Sequence, residues 1–203
     1  MIEPVVLRPR FGQVLCVAVW AIIVVCLVSL AMVGDGGKSL RFAPAFLLVA
    51  YLCWMLYWAP AVKLDAAGVS LVNIARTVRI TWPAIATVET KYALTILTAS
   101  GKFTAWAAPG PSRFTTYRAS RSDLSKLPES TYGAGGSVGI GDVPNSDSGA
   151  AALRVRRAWA QLQAAGHLDS GTVEGTGVEV TWHRWQLIVL AALVLLTLAG
   201  ILI

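Results

Sequence analysis

Few side chains in this chain have the types and spacing that chemistry requires. The two histidines are His167 and His183, and neither has an acid or a nucleophile at a spacing that would build a general base. Gly133-Ala-Gly-Gly136 and Gly139-Ile-Gly141 are glycine-rich, as phosphate cradles are. No Lys-Ser/Thr follows them and no strand–turn–helix pattern frames them, so they read as loop. Cys16, Cys26 and Cys53 all fall inside long apolar runs, where a thiol acts as a small hydrophobe and no CxxC pair or disulfide framework arises. The sequence therefore points to no catalytic residue, no metal site and no cofactor, and the chain is expected not to be an enzyme.

What remains is charge. Lys and Arg number 17 against 11 Asp and Glu, and the excess concentrates in the middle of the chain. Between residues 63 and 129 there are nine bases (Lys63, Arg76, Arg79, Lys91, Lys102, Arg113, Arg118, Arg121 and Lys126) and four acids (Asp65, Glu89, Asp123 and Glu129). Arg113, Arg118, Arg121 and Lys126, with Tyr117 among them, form the candidate surface for an anionic lipid or a partner. Each basic residue near a lipid surface contributes about 1 kcal/mol. The competing reading is a solvated face that follows the basic bias of cytoplasmic segments. Nucleic acid is not expected as a partner, because no stacking platform accompanies the bases.

The elements that must carry these residues begin in the membrane. An apolar fraction of 56% exceeds the roughly 45–50% of soluble domains. Residues 11–33 are apolar except for Gln13 and Ser29, and at 1.5 Å per residue they cover about 35 Å, enough to cross a hydrocarbon core. Arg8 and Arg10 precede the run, as in a signal peptide, but it is longer than a signal h-region and is expected to stay. Residues 34–41 read as a short polar loop and 42–62 as a second span. Tyr51, Trp54, Tyr57 and Trp58 gather at its C-terminal half, the interfacial position of such rings. A third apolar run covers about 186–203, after a collar of Trp182, His183, Arg184 and Trp185. None of the runs holds an ionisable residue in its interior, which argues against a transport path.

Lys/Arg bias sets the expected orientation. Arg8, Arg10, Lys63, Arg76 and Arg184 flank one side, against Lys38 and Arg41 in the hairpin loop. The N-terminus and the domain after span two are expected in the cytoplasm.

Residues 63–108 read as short strands. Asp65-Ala-Ala-Gly68 is a turn. Val69 and Leu71, then Val78, Ile80 and Trp82, then Tyr92, Leu94 and Ile96 alternate with more polar neighbours, the period of half-buried antiparallel strands. Pro83 stops one strand, and Ser100-Gly101 turns the last hairpin. Residues 131–149 read as a flexible Ser/Gly insertion. A helix is expected over 150–165, capped by Asp147 or Ser148 and closed by Gly166. Its apolar face carries Ala152, Val155, Trp159 and Leu162.

Two spans leading into Gly68-Val-Ser-Leu71, an Ile80-Thr-Trp82 step to Ile85 and a later amphipathic helix resemble the bacterial pleckstrin-homology (PH-like) domains. The resemblance is nearest to the actinobacterial membrane-anchored branch related to low-molecular-weight protein antigen 6. It implies a bent antiparallel barrel of about seven strands plugged by a C-terminal helix, with Trp159 as the plug's anchor and Trp82 as a second structural anchor. It carries no common catalytic residue and implies a binding or scaffolding module.

The expected organisation is thus a tail and transmembrane hairpin over 1–62, a PH-like β domain over 63–166 and a connector with a C-terminal span over 167–203. The expected function is a non-catalytic, membrane-anchored module of the bacterial cell membrane that binds a membrane protein partner or a second copy of itself. Recognition of anionic membrane lipid, or service as an accessory subunit to an envelope lipid or glycan enzyme, are the alternatives.

Overall fold

The computed structural model describes residues 4–32, 36–110, 146–166 and 177–202. The chain divides into a β unit, Met1–Arg8 with Ala61–Thr181, and a helical unit, Pro9–Pro60 with Trp182–Ile203.

The β unit holds strands β1 Val5–Leu7, β2 Ala61–Leu64, β3 Gly68–Val72, β4 Arg76–Thr81, β5 Ile85–Glu89, β6 Ala93–Thr98, β7 Gly101–Pro109 and β8 Val178–Trp182. They form a five-stranded sheet in the order β1-β2-β3-β4-β8 and a three-stranded sheet in the order β5-β6-β7. Pairings from β1 to β4 and from β5 to β7 are antiparallel. The alternation seen in the sequence becomes the two faces of the first sheet. Val62, Leu71 and Val78 sit side by side and buried, as do Leu64, Val69 and Ile80. From the second sheet Val88, Leu94 and Ile96 join the same core.

Local chemistry explains the turns. Asp65 Oδ1 accepts from the amides of Ala67 (2.8 Å) and Gly68 (2.9 Å), an Asx turn that reverses the chain between β2 and β3. Gly68 then runs so close to β4 that a Cβ would collide with the Ile80 carbonyl oxygen, so no other residue fits there. Pro83 ends β4 as expected, and Trp82–Ala84 forms a 3-10 turn between the sheets. Tyr92 departs from expectation: it precedes β6, is 81% exposed and does not share the buried face of Leu94 and Ile96. Its ring instead lies 5.4 Å from Lys91 Nζ.

Helix α3, Asp147–Ala164, follows α1 (Arg10–Met32) and α2 (Gly36–Cys53) of the helical unit in chain order and packs on β5, β6 and β7. It begins earlier than expected and is capped by Ser146 instead of Asp147 or Ser148. The extended backbone of Ser146 (φ −99°, ψ 153°) lets its Oγ accept from Gly149 N at 3.0 Å, the geometry an N-cap needs. Residues 146–149 thus belong to the helix and not to the insertion, whose remaining positions 131–145 lie outside the described residues. Gly166 lies just beyond the helix at φ +69°.

The plug's anchor also differs. Val155 is fully buried with Ala151, Ala152 and Ala158, while Trp159 and Leu162 are only partly covered at the rim. The facing strand β7 supplies Ala105, Ala107 and Ala108. Alanines on both sides let helix and sheet approach closely, which leaves room for Val155 but not for an indole at the centre. Trp82, by contrast, is 2% exposed and donates from Nε1 to the Asp65 carbonyl at 3.0 Å.

The helical unit comprises α1 Arg10–Met32, α2 Gly36–Cys53, which continues as a π-helical turn Trp54–Trp58, and α4 Arg184–Leu202. All three are long and apolar enough to cross a membrane, over Arg10–Met32, Arg41–Trp58 and Arg184–Leu202. The second helix starts inside the expected loop and stops at the Trp58 turn, with Pro60 following it. Ala61 and Val62, expected in the span, open β2 instead, because Pro60 cannot continue the helical ladder.

Side-chain contacts set the helix directions. Gly12 lies against Tyr57, while Trp20, farther along α1, donates from Nε1 to the carbonyl of the earlier Ala50 (3.1 Å), so α1 and α2 run antiparallel. Tyr51 Oη donates to Gln186 O at 3.0 Å near one end of α4. At the other end Arg41 donates to Gly200 O (2.7 Å) and Ile201 O (3.2 Å). A Cβ on Gly200 would stand 2.8 Å from the Arg41 carbonyl oxygen, so glycine is what allows α2 and α4 to approach there. Arg10, Trp58 and Arg184 therefore share one end of the unit, and every connection to the β unit leaves from it. The pairing of Val5–Leu7 with β2 requires the same arrangement, since the segments before α1 and after α2 must emerge together. The sequence reading treated residues 1–10 as a tail and missed β1, which is only three residues long.

Candidate functional site

Sheet register decides which polar side chains meet. Val62, Leu64, Val69, Leu71, Val78 and Ile80 take the inner face of the first sheet, so the residues between them face solvent. Lys63 lies opposite Ser70, and Ser70 lies opposite Arg79. These three form a straight cross-strand row, Lys63–Ser70–Arg79, continued on β1 by the exposed Val6. Arg79 Nη2 stands 3.7 Å from Asp65 Oδ2, and both side chains are substantially exposed, a pair of small energetic weight. Among the described residues Lys63 has no carboxylate within ion-pair distance.

The outer face of the second sheet is less basic. Thr95 and Thr104 are opposite each other with their hydroxyls 3.1 Å apart, and Glu89 lies opposite Thr95. Lys102 and the 53% exposed Trp106 are on β7.

Two side-chain contacts tie the layers together. Asn73, just past β3, donates from Nδ2 to Thr104 O (2.9 Å) and accepts at Oδ1 from Trp106 N (2.8 Å). Its amide thus does the work of a strand pair between the sheets. Arg156 on α3 donates to Val88 O of β5 at 2.8 Å. Sequence reading singled out neither residue, since each is defined by a partner 31 or more positions away.

Where β4 passes to β5 a cleft of about 450 Å³ opens, walled by Pro83–Ala86, the Thr98–Ser100 turn, Gly177 and Val178. Among the described residues no titratable side chain lines it. Among the described residues no group of three or more His, Cys, Asp or Glu comes together as a metal site would need.

The sequence-derived surface residues Arg113, Arg118, Arg121 and Lys126 lie outside the described residues, as do His167 and the glycine-rich stretch 133–141. His183 stands immediately before α4, where its carbonyl accepts from Leu187 N at 3.2 Å. Of the other bases, Lys63, Arg76, Arg79, Lys91 and Lys102 are described, and the register joins only Lys63 and Arg79 in one row.

This arrangement of a five-stranded and a three-stranded antiparallel sheet, with a helix closing the core, has a counterpart among known families. Residues 59–136 match the family model described as a bacterial PH domain. The β unit has a PH-like fold. The match opens directly after the π-helical turn and takes in β2 to β7, while β1, α3 and β8 lie outside it. No curated protein and no solved structure matches the chain. A PH-like fold is in general a binding module and not a catalytic one.

Proposed function

We propose that this protein is a non-catalytic, membrane-anchored PH-like module that binds a membrane protein partner, or further copies of itself, as a scaffold in the bacterial cell envelope. The observation that carries this reading is architectural. A PH-like β unit is joined by three chain connections to one end of a helical unit whose helices have the length and composition of membrane spans. Lys/Arg bias favours a cytoplasmic β unit. Arg41 is engaged with the last carbonyls of α4, a favourable position for a cation. A place in the actinobacterial branch related to low-molecular-weight protein antigen 6, and service as an accessory subunit to an envelope enzyme, are finer forms of the same reading.

Purification of the full chain in mild detergent, with mass spectrometry and mass measurement of the complex, is the test. A partner or a homo-oligomer at fixed ratio is expected. A monodisperse monomer with nothing bound would overturn the proposal. For orientation, a cysteine at Ser39 is expected to react with an impermeant maleimide in intact cells and one at Ser137 to stay protected; the reverse pattern would overturn the cytoplasmic placement.

A second reading, recognition of anionic lipid, is favoured by the solvent-facing basic row on the first sheet. In that case binding weakens steeply as salt rises, since the Debye length falls from about 10 Å at 0.1 M to about 3 Å at 1 M.

A further inference from the structure

We propose that Cys16 and Cys53 form a redox site: the two thiols close to a disulfide between α1 and α2, with a lipid-soluble quinone as the oxidant. The pair owes nothing to the partner or lipid readings, and it unites residues from different apolar runs of the sequence.

Helix register supplies the geometry. Gly12, Cys16 and Trp20 follow one another at four-residue steps on α1, so they share one face of the helix. They meet α2 and its π-helical turn in reverse order. Gly12 lies against Tyr57, where a Cβ would stand 3.1 Å from the carbonyl oxygen. Trp20 Nε1 donates to the Ala50 carbonyl at 3.1 Å. Cys16 falls between these two contacts on α1, and Cys53 falls between their partners. The two cysteine side chains hydrogen-bond to each other. Cys16 has no accessible surface and Cys53 only 7%, so the thiols are enclosed in the seam. A disulfide requires Cα atoms about 4.4–6.8 Å apart, and the glycine contact one turn away allows the two backbones that kind of approach. All three cysteines are free thiols. Cys26, the third, lines a separate groove with Val25, Leu30, Phe42 and Phe46.

Closure breaks two S–H bonds and forms one S–S bond. The two electrons and two protons released pass to the quinone, which leaves as the hydroquinone. The surroundings select that oxidant. Both cysteines lie within helices that have the length and composition of membrane spans. A charged oxidant such as glutathione disulfide has to shed its hydration to reach them, whereas a neutral quinone dissolves in the same apolar medium.

The helix supplies a point of entry. Cys53 keeps what little exposure the pair has, and it immediately precedes the π-helical turn Trp54–Trp58. There the backbone bond spans five residues, from Ala59 N to Trp54 O at 2.9 Å. Such turns interrupt the regular helical ladder and are frequent at functional sites. Once formed, the disulfide clamps α1 to α2 at this level.

The test uses the full chain, reduced beforehand and reconstituted in phosphatidylcholine vesicles. Decylubiquinone is the probe, since its fully substituted ring accepts electrons without arylating thiols. The expected product is a single chain lighter by about 2 Da, the two hydrogen atoms lost. Its digest is expected to show the Cys16 and Cys53 peptides joined, and a dithiol reductant is expected to separate them. Glutathione disulfide at the same concentration is expected to close the bond about tenfold more slowly. Cys26→Ser is expected to leave the rate unchanged, while Cys16→Ser and Cys53→Ser are each expected to abolish the product. Unchanged helical circular dichroism separates these losses from misfolding. Both thiols still free after exposure to the quinone would overturn the site, and so would a bond that uses Cys26 or joins two chains. Closure by glutathione disulfide as fast as by decylubiquinone would overturn the quinone as oxidant.

Discussion

The β unit and the helical unit are both rich in Val, Leu and Ile but place those residues in opposite ways. In the β unit they point inward: Val62, Val69, Leu71, Ile80, Leu94 and Ile96 have essentially no accessible surface. In the helical unit they point outward: α4 has no buried residue, and Leu195 is 67% exposed. The difference is the one that two different solvents would select. A β unit in water must hide its apolar side chains within itself, whereas a helix in lipid gains by presenting them. Polar groups follow the same division. In the helical unit Trp20, Tyr51 and Arg41 each spend a side-chain donor on a backbone carbonyl of a neighbouring helix, while Lys63 and Arg79 of the β unit face outward.

The strongest way to break this comparison is to remove an apolar side chain from each unit. Trp82→Ala empties a fully enclosed site and orphans the Asp65 carbonyl, so the β unit is expected to lose about 3–5 kcal/mol. Leu195→Ala, facing outward on α4, is expected to cost less than about 0.5 kcal/mol. Thermal melting and limited proteolysis of the full chain read both. Comparable losses would mean that α4 is covered by protein and not by lipid.

A smaller contrast lies within the β unit. Val155→Ala and Trp159→Ala are each expected to cost about 2–3 kcal/mol, although Trp is far the larger side chain, because Trp159 is only partly buried and the hydrophobic gain scales with area removed from water. Arg157→Ala, exposed on the far side of α3, is expected to be nearly silent. A loss of 5 kcal/mol at Trp159 would restore it as the anchor of the plug.

Next comes the join between the two sheets. Asn73→Ala removes two hydrogen bonds in a partly wetted setting, with an expected cost of about 1–2 kcal/mol. Faster hydrogen exchange at the Trp106 amide would locate the damage, and an unchanged rate there would show that the sheets hold without the bridge. Ser146→Ala, which takes the cap from α3, is expected to cost about 1 kcal/mol. Ser146→Asp is expected to restore most of it, as a carboxylate also accepts from the N3 amide.

Much of this architecture was readable along the chain. The alternation of Val69 with Leu71 and of Val78 with Ile80 fixes which face is buried, because a strand's side chains repeat every two residues. Pro83 and the Asp65–Gly68 turn marked their boundaries for the same local reason. The apolar runs announced the helical unit, since length and hydropathy are local properties too. Errors gathered where a local rule was overridden. Pro60 ended a helix that the apolar pattern extended to Val62. The family resemblance makes Trp159 the plug's anchor, although the alanines opposite it decide how near the helix comes.

Sequence by itself therefore determined the elements, the inward face of each strand and the apolar helices, all of which follow from periodicities of 2 and 3.6 residues. Tertiary structure alone decided the partners: Val5–Leu7 on β2, Asn73 across to Thr104 and Trp106, Arg41 at the end of α4, and Lys63, Ser70 and Arg79 in one row. The physical reason is that register and helix packing depend on long-range closure of the chain. Residues 16 positions apart become neighbours only when two turns have set the pairing, and no local preference encodes that sum.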